Sequence, residues 1–536
     1  MRFGLTLTAL TMALVLTGCT EGTPERTPAG EKTSGAASPA ATASPTTSLP
    51  KPAEVSPSDY ADEAKDIVAD FSDAELAGSL IIGTWSGTDT STGANLIRKN
   101  HLGGVIVMKD NLPENPDPAQ VAGVTEALTD SRTQGQPVSI GVDQEGGPVS
   151  RLSTGALPFP PLMALAATDD LDLTESATAV QARDLAELGF TIDFAPVADV
   201  TTGAQDVTIN VRSAGDDHDQ AAEVVAAAVD GYWAGGVAAS AKHFPGHGRL
   251  NVDSHEELPV SKKSIDELED TDLVPFKSAV EAGVPMVMMG HIGLPDAKTT
   301  PATLNEEAYS ALRKTLDYDG VIITDALNMK AVGQNQGGAE TVRALAAGAD
   351  LALMPPDSAA AQQAVLRAME EGELKRDDLV EKAERVVAMQ LATSEVQKSV
   401  GDQADGDPGA VLTDVAEQSL TVLKGECGFS GTDAISIVGG SETETATLKQ
   451  AAEEVGLEVG SRGTTVSLSP KTSAEVAVGT AAPWTMRDTS AKTAVTAYDD
   501  NPFALQAVAK WLKGDLEASG RLPVEYPGSD KAPDCG

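Results

Sequence analysis

The chain contains six histidines, and four of them, His243, His247, His255 and His291, crowd between positions 243 and 291. They sit among lysine, aspartate and glycine, in AKHFPGHG (241–248) and DSHEELP (253–259). Carboxylates and arginines recur in similar settings. Asp143, Glu145 and Arg151 lie in GVDQEGGPVSRL (141–152), Asp199 in FAPVADV (194–200), Arg212 in NVRS (210–213) and Asp325 in VIITDALNM (321–329). Two chemistries fit these residue types. His243, His247, Asp253, His255 and Asp325 are ligand types that suit zinc or manganese in a metal-dependent hydrolase. Sugar hydrolysis needs instead a group that protonates a leaving oxygen and a carboxylate on the anomeric face. In Asp253-Ser254-His255 the aspartate can fix the imidazole tautomer and hold its proton ready. Asp325, ending an apolar run, suits a rigidly aimed nucleophile. On residue types alone, both readings stay open.

Positions so far apart in sequence need a scaffold that brings them together. Short β-branched or apolar runs occur at Leu80–Gly83, Gly104–Met108, Val138–Val142, Thr191–Ala195, Val237–Ala241, Pro285–Met289, Val321–Thr324 and Asp350–Met354. Amphipathic or alanine-rich segments alternate with them, as at Asp117–Asp130, Thr174–Leu188, His218–Ala234 and Ser264–Ala282. Eight strand-then-helix units predict an α/β fold, a closed (β/α)8 TIM-like barrel, with a doubly wound open sheet as the alternative. In a barrel, residues that follow the strands open onto one carboxyl-terminal rim. All the groups named above follow strands.

The barrel is expected over 58–398, followed by a linker at 399–410, GDQADGDP at its centre. A smaller α/β sandwich domain is expected over 411–536, with strands at Ala434–Gly439 and Glu475–Gly479 and helices at Glu442–Glu454 and Pro502–Leu512. No obvious catalytic cluster stands out in this second region. Residues 1–18, with Arg2 before the apolar run Phe3–Leu16 and Leu-Thr-Gly before Cys19, read as an export segment too short to span a bilayer. It resembles a bacterial lipoprotein signal, with Cys19 as the lipidated residue; a plain secretory signal is the alternative. Residues 19–57, rich in Thr, Pro, Ala and Ser, cannot build a core and read as a disordered tether. Extended, such a tether reaches on the order of 100 Å. Export permits a disulfide between Cys427 and Cys535, closing a loop worth about 4 kcal/mol; two unpaired thiols are the alternative. A formal charge of -42 argues against nucleic acid and anionic head groups as partners.

The motifs DQEGGPVSRL, FAPVADV, NVRS, KHFPGHG, DSHEELP and TDALNM, in this order, resemble glycoside hydrolase family 3, in its NagZ-like β-N-acetylglucosaminidase branch. The resemblance covers almost the whole barrel. It implies a retaining exo-β-N-acetylglucosaminidase with Asp325 as nucleophile and His255, oriented by Asp253, as acid and then base. It also implies that Asp143, Arg151, Arg212, Lys242, His243 and Asp199 hold or touch the terminal sugar, and that no metal or cofactor is needed. His247, between Gly246 and Gly248, reads as structural. The substrate implied is peptidoglycan-derived oligosaccharide, GlcNAc-MurNAc with or without peptide, met at the extracellular face of the bacterial membrane by a lipid-anchored monomer. A broader β-hexosaminidase, a GlcNAc phosphorylase and a non-catalytic wall- or sugar-binding lipoprotein are the alternatives. Three departures stand out: Pro148 replaces a basic residue usual in the family, DVTI before Asn210 lacks the usual proline, and Thr324 replaces the commoner serine.

Overall fold

Runs such as Val-Ile-Ile-Thr, too short for helices and bounded by glycine, become strands covered on both faces, as parallel sheets require. In the computed structural model, which describes residues 55–131, 137–250, 252–333, 337–401, 407–526, 532, 533 and 535, eight such runs form one parallel sheet. These are β1 (Ile81–Gly83), β2 (Gly104–Ile106), β3 (Ser139–Val142), β4 (Ile192–Asp193), β5 (Ala238–Phe244), β6 (Met286–Met289), β7 (Val321–Thr324) and β8 (Ala352–Leu353). Their order is β7-β6-β5-β4-β3-β2-β1-β8. A parallel bridge between Ile323 and Leu351, with the Thr324 amide donating to the Leu351 carbonyl at 3.0 Å, joins the two ends. The sheet is therefore a (β/α)8-type barrel and not an open doubly wound sheet.

Side chains alternate along the strands. Met286, Met288, Val321 and Ile323 enter one buried cluster with Ile82, Ile106, Ile192 and Leu353 from the other strands, which places it inside the barrel. Val287, Met289 and Ile322 turn outward against the helical layer, with Leu128, Leu185, Val225 and Phe276. This period of two is what the pleat demands.

The helices expected at Asp117–Asp130, Thr174–Leu188 and His218–Ala234 form as Pro118–Thr129, Leu171–Glu187 and His218–Ala234. The expected helix Ser264–Ala282 is broken into Ile265–Leu268 and Val274–Glu281. Pro275 accounts for the break, because it has no N–H and its ring would meet the carbonyl one turn earlier. At the start of the second piece it costs nothing.

Cys19 and the signal segment lie outside the described residues, as does the tether up to residue 54. The last residues of the expected tether are already packed: Trp233 Nε1 donates to the Val55 carbonyl at 2.9 Å, and Pro57–Tyr60 form a turn. Ser56, Pro57, Ser58 and Ala61 line a cavity with Pro285, Gly320 and Val321, which precede or begin β6 and β7. The chain thus joins the barrel at its amino-terminal face.

Helix Arg376–Gly401 runs into the expected linker, and Pro408–Ser419 forms a further helix whose Leu412 and Val415 belong to the barrel's own core. Position 411, the expected start of the second region, falls inside that helix. Beyond it, β9 (Thr421–Lys424), β10 (Ala434–Val438), β11 (Glu458–Val459), β12 (Thr464–Ser467), β13 (Val476–Gly479) and β14 (Thr493–Thr496) form a sheet ordered β9-β14-β13-β12-β10-β11. Only β9 runs antiparallel. Helices Glu442–Glu454 and Pro502–Lys513 cover the sheet, with Trp511 and Leu512 in a separate core. A disulfide joins Cys427 to Cys535 across 108 positions.

Candidate active site

The loops that leave the carboxyl ends of the barrel strands carry the ionisable groups. Asp325 directly follows β7. Its amide donates to the Met289 carbonyl at 2.9 Å, and the Ala326 amide donates to its Oδ1 at 2.7 Å. Backbone on both sides therefore aims the carboxylate. Burial would push this carboxyl up, but its polar surroundings, the Ala326 N–H and the Lys242 ammonium among them, hold it below the usual carboxylate range. His291 itself is buried, and burial pushes its imidazole down. Nε2 donates to the Ala326 carbonyl at 2.9 Å, which leaves Nδ1 of the neutral ring to accept from the Thr303 hydroxyl at 2.6 Å. The ring thereby supports the turn that carries Asp325.

A second group surrounds Lys242, whose side chain is 3% exposed. Its Nζ lies 2.9 Å from Asp143 Oδ1 and 2.7 Å from Glu145 Oε1. Arg212 grips Glu145 through Nε and Nη2 at 2.7 and 2.8 Å, and Arg151 Nη2 reaches Asp143 Oδ2 at 3.5 Å. Burial opposes the charge on Glu145, yet Arg212 and Lys242 outweigh it and hold the carboxyl far below its ordinary value. Removing one partner from a buried set of this kind costs about 3–5 kcal/mol, because the others stay charged without compensation.

Asp199 orders a third group. Its Oδ2 lies 2.7 Å from His243 Nδ1, and its Oδ1 accepts the amides of His243 (3.2 Å) and His247 (2.6 Å). A carboxylate at Nδ1 fixes that nitrogen as the donor and leaves Nε2 of a neutral His243 as an acceptor. Asp199, expected to support or touch the sugar, is engaged through both oxygens within the protein, and it orients His243. His247 is buried with neither ring nitrogen partnered.

The Asp253–His255 pair stands apart, on an exposed loop. His255 Nδ1 and its backbone amide both lie 2.9 Å from Asp253 Oδ1. With Nδ1–H held by the carboxylate, the outer Nε2 is the nitrogen that can carry or take a proton. An ion pair of 2.6 Å links Glu256, beside His255, to Lys330, in the loop that begins with Asp325. All the expected catalytic and sugar-binding positions lie at or beyond the carboxyl ends of barrel strands, on the same side of the sheet.

Several supporting residues had no role assigned from the sequence, although Gln144 lies within the motif DQEGGPVSRL. Gln144 is the hub of the hairpin that carries Asp143, Glu145 and Arg151. Its Oε1 accepts the Arg151 amide at 2.9 Å, and its Nε2 donates to Ser150 Oγ at 2.8 Å. Its own amide donates to Asp193 Oδ1 at 2.9 Å, and its carbonyl accepts from Gln181, which in turn accepts from Tyr232. Burial pushes Asp193 up to about 8, so it stays neutral at pH 7. An aspartate in the middle of the otherwise β-branched or apolar run Thr191–Ala195 was the available signal for Asp193.

Residues 76–389 match the family model described as glycosyl hydrolase family 3 N terminal domain. A β-hexosaminidase A of Pseudoalteromonas piscicida is 33% identical over 285 residues, 49% of this chain but only 47% of that protein. The β-hexosaminidase LpqI of Mycobacterium tuberculosis is 33% identical over 373 residues, 66% of this chain and 88% of that protein. Among solved structures, a glycoside hydrolase family 3 β-N-acetylglucosaminidase from Paenibacillus sp. str. FPU-7 superposes with a TM-score of 0.73 at 28% identity. It covers 85% of this chain and 99% of its own.

Proposed function

From the premise that this chain belongs to glycosyl hydrolase family 3, as a glycoside hydrolase of the β-hexosaminidase class, we propose that it is a retaining exo-β-N-acetylglucosaminidase acting on peptidoglycan fragments. One observation supports the reading above all: a buried, ionised Asp325 shares a rim with an imidazole whose inner nitrogen is bound by a carboxylate. Asp325 attacks the anomeric carbon and forms a glycosyl ester. Nε2 of His255 protonates the departing oxygen, then takes a proton from water in the second step. Asp143, Arg151, Arg212, Lys242 and His243 bind the hydroxyls of the terminal sugar, with Lys242 and Arg212 pre-set by Glu145 and His243 by Asp199.

The wall substrate rests on the expected anchor. A tether lipidated at Cys19 would hold the enzyme at the membrane while its length lets the barrel reach wall material. Cys19→Ser is expected to move the activity from the membrane fraction to the medium; activity that stays with the membrane fraction would sink the anchor.

Purified protein supplied with GlcNAc-MurNAc, with and without peptide, and with chitobiose tests the substrate. The reading expects free GlcNAc, first as the β-anomer by NMR, and a higher kcat/KM on the MurNAc glycoside. Preference for chitobiose would point to a broader hexosaminidase. GlcNAc 1-phosphate formed in phosphate buffer would overturn hydrolysis, and tight sugar binding without turnover would overturn the enzyme.

A further inference from the structure

We infer that the second domain is part of the sugar-binding apparatus, because the segment Arg521–Glu525, backed by Trp484 and Tyr498, positions the loop that carries Arg212. The inference rests on the reading of Arg212 as a sugar ligand. Arg212 sits in a loop, 209–217, with two unlike sides. On the barrel side, Arg212 holds Glu145 and the Ser213 hydroxyl donates to the Asp199 carbonyl at 2.6 Å. One loop thereby holds Glu145 by its carboxylate and Asp199 by its backbone, the two residues that pre-set the sugar ligands.

The opposite side is held by the second domain. The Asp216 amide donates to the Pro523 carbonyl at 3.1 Å, and the Glu525 amide donates to Asp216 Oδ2 at 2.7 Å. Val211, next to Arg212, is buried with Trp484, Tyr498 and Val524 from the second domain and with Met163 and Ala167 from the barrel. The approach at Gly215 is close: a Cβ there would stand 2.3 Å from the Pro523 carbonyl oxygen. Arg521 locks the segment in place, with its amide on the Ala167 carbonyl at 2.8 Å and its guanidinium on Asp169 at 2.7 Å. A loop that is fixed only by its own turns would let the Arg212 fork drift. Guanidinium–carboxylate pairing needs two bonds in one plane, so small drifts lose it.

The test uses Gly215→Ala, Asp216→Ala and Asp216→Asn in the full chain, each also combined with Arg212→Lys. Wild-type turnover of an aryl β-N-acetylglucosaminide is scored first; its absence would defeat the functional reading itself, whatever the variants do. Gly215→Ala is expected to raise KM, and the inhibition constant for free GlcNAc, by about tenfold or more, with kcat within about threefold. Asp216→Ala should give a smaller rise in the same sense. Asp216→Asn, which still accepts from the Glu525 amide, should restore the wild-type value. In the Arg212→Lys background the added rise should shrink, since the segment acts through that side chain. Active wild type with unmoved KM in the variants, a lowered Tm alone, or rises that multiply with Arg212→Lys would overturn the positioning role. Should Gly215→Ala fail to fold, the Asp216 pair decides the question.

Discussion

Asp325→Ala is expected to lower kcat/KM for an aryl β-N-acetylglucosaminide by on the order of 10⁴-fold or more, while circular dichroism stays unchanged. The size follows from the role. A nucleophile removed from a covalent route leaves only the binding groups and the acid, and water in its place is a far weaker nucleophile than a positioned carboxylate. Azide supplied to the variant should enter the space left by the side chain, restore turnover and give the α-glycosyl azide. That product carries the inverted configuration because a single displacement has replaced two. The wild type should also keep its nucleophile at low pH. Asp325 is held below the ordinary carboxylate range, so the ionised form persists as pH falls past 4 and is lost only on titration through the depressed value. An Asp325→Ala protein that retains more than about a hundredth of wild-type kcat/KM without azide would place the nucleophile elsewhere.

His255→Ala should produce the second large effect, one that depends on the leaving group. On GlcNAc-MurNAc, whose alkoxide leaves poorly, kcat/KM is expected to fall by about 10²–10⁴-fold, the range of general-acid help. With a dinitrophenyl glycoside the departing oxygen needs no proton, and kcat/KM should stay within about tenfold of wild type. Asp253→Asn should follow the same pattern. The amide no longer fixes Nδ1 as the donor, so Nε2 is not reserved for the proton. Equal losses on both substrates would show that His255 shapes the site without acting as its acid. The pair is exposed, at 67% and 45% of the two side chains, whereas Asp325 is buried, so His255 replacements should cost little stability.

The Lys242 cluster adds a physical reason for the site's rigidity. Two carboxylates and two cations are withdrawn from water together, and each is tolerable only while the others stay in place. Glu145 touches three structural segments at once: its own hairpin, β5 through Lys242 and the 209–217 loop through Arg212. Its position in DQEGG drew attention to it, yet no spacing in the sequence assigns it these partners.

Local sequence determined the strands and most of the helices, because hydrophobic period and turn residues act over a few positions. All eight barrel strands lie within the expected runs or extend them at one end, as β5 does to Phe244. Where reading failed, a local rule was overlooked, as with Pro275, or tertiary contact overrode the boundary, as with the helix Pro408–Ser419 that joins the barrel core. The short edge strand β11 and the strands β9, β12 and β14 of the second sheet escaped notice, since runs of two to four residues carry little periodic signal. Residue types and motif order also nominated Asp325, His255, Asp253 and the sugar ligands. What only the tertiary structure decided is who holds whom: Arg212 on Glu145, Asp199 on His243, and Pro523 against Gly215. Those pairings join positions tens to hundreds of residues apart, and charge and shape select partners through space, where the order of the chain carries no distance information.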